Sequence, residues 1–172
     1  MTVTDPHPEH PIAIAPPTIA LALEALSNCV CEELALSGAG PTCWCGLYPG
    51  AQVSWEYCSE CGNDRCGMGY VRLAGAFPYD VWPIPAVDDR CARPVSWMVE
   101  VGALRCFPQP ADGELPDAVA LSEVSLRQAM DAKALWKAIK CCGLDMAIEA
   151  YRPVGPGGGC VGGFWVAHAA VD

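Results

Sequence analysis

Twelve cysteines stand in this 172-residue chain, at positions 29, 31, 43, 45, 58, 61, 66, 91, 106, 141, 142 and 160. Thiols support three kinds of chemistry: metal ligation as thiolates, disulfide bonding, or service as small apolar side chains in a core. Cys43-x-Cys45 followed by Cys58-x-x-Cys61 offers four thiols at two paired sites, the number that tetrahedral zinc takes. The one-residue gap of the first pair is shorter than the two to four residues usual in zinc ribbons, and Cys66 is a spare fifth thiol. Cys43, Cys45, Cys58 and Cys61 are therefore candidate zinc ligands, with disulfides and free thiols as open alternatives, and zinc is the one cofactor the chain suggests. Cys29, Cys31, Cys106, Cys141 and Cys142 fall on or beside expected helices and strands, where burial as thiols is expected.

Other constellations are weaker. Cys58-Ser-Glu-Cys61 has redox spacing, but glycines and Asn63-Asp64 follow it where a thiol-activating helix would have to begin. The glycine-rich stretch 155–163 lacks the Lys-Ser/Thr ending of a phosphate cradle and leads into a strand, so it reads as a hairpin loop. Cys160 and His168 are a formal nucleophile and base, yet a single histidine in an apolar strand ordinarily serves structure. No catalytic set emerges, and the expected class is non-enzymatic.

The elements that must position these residues follow from periodicity. Residues 1–17 carry five prolines and read as an extended arm. From Thr18, a suitable N-cap, Ile19, Leu23, Leu26, Val30 and Leu34 recur at helical spacing until Gly38, Gly40 and Pro41 stop the helix. Residues 43–50 read as a loop. The runs 52–57 and 69–74 read as a hairpin with a cysteine-bearing tip, and 77–94 as a long connection. Residues 96–107 have apolar side chains on both faces, as a central strand requires. The segment 118–142 lacks Pro and Gly and predicts a long helix; Leu126 and Met130 lie off its main apolar face, as a helix packed on two surfaces would show. Residues 146–151 and 164–171 read as a second hairpin. The expected class is α+β: a mostly antiparallel sheet of about five strands flanked by two helices, order α-β-β-β-α-β-β, forming one domain over 18–172.

Charge narrows the partners. The net charge is −10, and residues 1–64 hold eight acidic side chains and no Lys or Arg. Binding to phosphate backbones works through clustered bases, so this half is unsuited to gripping nucleic acid. Only 17% of residues are charged against 52% apolar, a balance that favours burial against partners. A membrane span and a secretory signal are not expected, because no long apolar run occurs and Met1–Glu9 lacks a basic region.

The segments Arg65-Cys-Gly-Met-Gly-Tyr-Val-Arg-Leu73, Val99-Glu-Val-Gly-Ala-Leu-Arg-Cys106, Ile139-Lys-Cys-Cys142 and Gly155-Pro-Gly-Gly-Gly-Cys-Val-Gly-Gly-Phe-Trp165 resemble the neck proteins of tailed phages infecting actinobacteria. The likeness spans about residues 18–171 and leaves out the proline-rich arm. Within that group the element order is similar to the tail terminator. The resemblance implies a ring, commonly a hexamer, that caps the tail tube and contacts the head-side connector or stopper while DNA passes through its lumen. It implies a virion location after synthesis in the host cytoplasm, and no catalytic residues. A head-closure or adaptor-side connector, and a small cytosolic zinc-binding interaction module, are the alternatives. An acidic lumen supplied by Glu24, Glu32, Glu33 and Glu56 would let DNA slide, and cysteines would reinforce a particle that leaves the reducing cytosol.

Overall fold

The computed structural model describes residues 18–54, 58, 61, 66–87, 94–108, 114 and 116–170. The proline-rich arm lies outside them.

Helix α1 spans Thr18–Leu36. Leu26, Val30 and Leu34 of its apolar face are buried, joined by Ala22 and Ser27, while Leu23 packs half-buried against the same core. Strand β1, Trp44–Leu47, follows directly and lies parallel to β2, Met68–Val81. This corrects two expectations. Residues 43–46 are mostly strand, because four residues beside a disulfide pair need no periodicity of their own once β2 offers them a ladder. Gln52–Ser54 are irregular, and the remainder of the expected 52–57 strand falls outside the described residues.

β2 runs past the expected end at 74. A bulge between Leu73 and Gly75 lets it continue to Val81, where it pairs with the two-residue β3, Ile84–Pro85. The first part of the expected connection 77–94 is thus strand, paired to Val95–Ser96 as well. β4, Val95–Cys106, is the middle strand as its two apolar faces required. Helix α2, Ala118–Cys141, is capped by Asp117, whose carboxylate accepts the Val119 N–H at 3.2 Å. β5, Met146–Gly157, and β6, Cys160–Ala170, close the chain as a hairpin. Both strands reach into the glycine-rich stretch expected to be a loop. Gly158 and Gly159 alone make the turn, both at positive φ, as a two-residue hairpin connection requires.

The sheet order is β1-β2-β4-β6-β5, with β3 beside β2. All pairings but β1–β2 are antiparallel. With β3 set aside as a short addition, the order α-β-β-β-α-β-β holds, and the class is α+β. Both helices cover one face: Leu26, Val30, Leu34, Leu135 and Ile139 pack on Val71, Val99, Val101, Ala103 and Ala167. The helices run antiparallel, since Glu33 of α1 meets Lys137 of α2 whereas Gly38, just after α1, faces Met130. On the opposite face Met68, Tyr70, Leu104 and Cys160 form a second cluster beneath Tyr48, Val53 and Cys58. Among the described residues no helix is long and apolar enough to cross a membrane.

Candidate functional site

The cysteines converge as disulfides at one end of the sheet. Cys31–Cys45 joins α1 to β1, Cys43–Cys61 and Cys58–Cys160 fasten the segment after β1, and Cys66–Cys106 ties the entry of β2 to the end of β4. Their Cα–Cα separations are 5.6, 5.8, 5.5 and 5.7 Å, all within the range a disulfide spans. The four zinc candidates are thereby split among three bonds: Cys43 with Cys61, Cys45 with Cys31, and Cys58 with Cys160. A bonded sulfur is not a thiolate, so zinc at Cys43, Cys45, Cys58 and Cys61 would first require their reduction. Among the described residues no group of three or more His, Cys, Asp or Glu side chains is arranged to hold a metal ion. Cys31 and Cys106, expected as buried thiols, are bonded instead. Cys29, Cys141 and Cys142 are free, and burial is the main cause raising the Cys29 thiol above its ordinary pKa. Cys91 lies outside the described residues.

Buried polar groups are mostly paired. Arg105 of β4 gives two hydrogen bonds to Asp131 of α2, at 2.8 and 2.7 Å, and a third to the Pro41 carbonyl at 3.2 Å. On the other face Arg72 binds Glu100 through Nε and Nη2 at 2.7 and 2.6 Å and reaches the Gly50 carbonyl at 3.2 Å. A cleft of about 270 Å³ opens there, lined by Gln52, Val53, Tyr70, Arg72, Glu100 and Phe164. The Arg72 guanidinium is already held on both sides by Glu100 and Gly50, so among the described residues the cleft presents no free cation to an anion.

His168 and Cys160 do not meet as nucleophile and base: Cys160 is bonded to Cys58, and His168 Nε2 lies 2.7 Å from Glu149 Oε1. Ser96 shares the sheet face of His168, yet among the described residues its buried hydroxyl and the buried His168 Nδ1 have no hydrogen-bond partner. Ser96 is fully buried, so no substrate reaches that hydroxyl.

Exposed apolar side chains also lie on the helices. α2 turns Leu135, Ala138 and Ile139 to the core and leaves Val119, Leu121, Leu126, Met130 and Trp136 exposed. Leu126 and Met130 are 61% and 42% accessible, so among the described residues the side chains lying off the main apolar face are only partly covered. α1 exposes Leu21 and Leu36 beside Glu24 and Glu32. Glu33 is half-buried and accepts a 2.8 Å bond from Lys137, which raises the lysine's pKa. Glu56 lies outside the described residues. The exposed Trp136 and the buried Asp131 escaped the periodicity reading. Asp131 had a signal, since it shares the helical phase of Ala134, Leu135 and Ala138.

Comparison of the chain with protein-family models and with curated proteins returns no match.

Proposed function

We propose that this protein is a structural component of the neck of a tailed phage, a ring-forming tail terminator that caps the tail tube and meets the head-side connector while DNA passes through its lumen. One observation carries the reading: α2 buries one face within its own chain and still exposes five large apolar side chains along its length. A helix so built gains from a second partner surface, since each large side chain removed from water contributes roughly 1.5–3 kcal/mol. The element order and the resemblance of residues 18–171 to neck proteins supply the kind of assembly. The disulfides suit a particle that functions outside the reducing cytosol.

The test is native mass spectrometry and negative-stain microscopy of the full chain in its oxidised form. A closed ring with a bore wide enough for duplex DNA is expected. A monomer at every concentration overturns the proposal.

A further inference from the structure

The exposed sides of the two helices are complementary. On α2, Lys133, Trp136 and Lys140 lie at spacings of three and four, and all three are exposed, Trp136 to 46%. On α1, Glu24, Asn28 and Glu32 lie at spacings of four and are likewise exposed, with the small Ala25 beside them. At 1.5 Å per residue the two lysines stand about 10 Å apart along their helix and the two glutamates about 12 Å along theirs. Among the described residues none of these four charges has an ion-pair partner within the chain. The neighbouring Lys137 is already committed to Glu33.

We infer that the Lys133–Trp136–Lys140 face of α2 docks onto the Glu24–Asn28–Glu32 face of α1 in a second copy of this chain. Trp136 covers the small residues between the glutamates, each lysine meets a carboxylate, and the indole N–H has the Asn28 side-chain carbonyl as an acceptor. A partly exposed tryptophan at the centre of a charged rim is the usual make-up of a dominant contact. The two patches differ and sit on different helices, so every copy offers one of each; within the ring reading above, the α2 patch of each copy meets the α1 patch of the next, a head-to-tail contact. This inference rests on the ring reading above and names the surfaces that build it.

Charge reversal in both directions tests it. E24K/E32K and K133E/K140E are made separately and together in the full oxidised chain, with circular dichroism to verify folding and sedimentation velocity to read association. Each paired variant alone sets like charges against each other and weakens association at least tenfold. A chain carrying all four changes assembles again, and so does an equal mixture of the two paired variants, because each then supplies the patch the other lacks. W136A weakens association by about 30-fold. A wild-type ring that survives both reversals overturns these surfaces and leaves the ring reading standing. A wild-type monomer overturns both. Paired variants that fail to recover on mixing overturn the head-to-tail arrangement. Duplex DNA that shifts with the wild type and not with K133E/K140E, with association unchanged, assigns the lysines to nucleic acid and overturns the inference.

Discussion

Arg105 and Asp131 form a two-pronged ion pair between the middle strand and α2, with both side chains at least nine-tenths buried. Its third bond, to the Pro41 carbonyl, brings in the loop that leads from α1 to β1. One guanidinium thus fixes the position of three segments that are far apart in the chain.

Removing one partner leaves the other charge buried and unpaired, and that loss exceeds what the pair itself contributes. Asp131→Ala is expected to destabilise the fold by about 3–5 kcal/mol. The double change Arg105→Met with Asp131→Leu is expected to lose much less, because no isolated charge remains. Urea unfolding of both variants under oxidising conditions measures the difference, and equal losses would refute the account.

Cys58–Cys160 closes a sequence separation of 102, the widest of the four bridges. It is also buried in the cluster on the helix-free face. Replacing both cysteines with serine is expected to lower stability by about 2–4 kcal/mol, less than an isolated loop of that length would suggest, because Cys66–Cys106 still restrains the same end of the sheet. Thermal unfolding before and after the change reads the loss directly. A transition temperature that does not move would show that the bridge adds nothing to the remaining three.

Acid acts on the Glu149–His168 contact. The hydrogen bond from the His168 ring, aided by the His168 and Arg152 charges, holds the Glu149 carboxyl below its ordinary value of 4.5. The unfolded chain therefore binds this proton more readily than the folded one, and stability rises with pH across that region. The contribution is complete above about pH 4.5 and is lost as pH falls through the lower folded value. Glu149→Gln is expected to flatten the stability profile between about pH 3 and 5. The two profiles, followed by chemical denaturation, should converge in strong acid; parallel profiles would remove Glu149 from the explanation.

Where side chains repeat with the period of their own element, the amino-acid sequence was informative. Leu26, Val30 and Leu34 are buried on α1 as their spacing required, and β4 is the middle strand because both its faces are apolar. β1 is not legible in the sequence, because Trp44–Leu47 is too short to show a period and is made a strand by β2 alongside it. The glycine-rich stretch reads as loop for a related reason. Its residues favour no strand locally, and become one by pairing with the edge of β4 and with each other. Of the candidate site, the apolar residues lying off the main face of α2 were legible. The placing of Trp136 outside, at the centre of a lysine rim, was not.

The sequence by itself determined the α+β class, the order of the long elements, the acidity of the first third of the chain and the presence of cysteines enough for several chemistries. Only the tertiary structure decided which cysteine meets which. It divided four apparent zinc ligands among three disulfides and bonded two cysteines expected to stay as thiols. The physical reason is the range of the interactions. Periodicity is read within one or two turns of chain, whereas the partners of Cys58 and Arg105 are chosen by the register of strands and the crossing of helices.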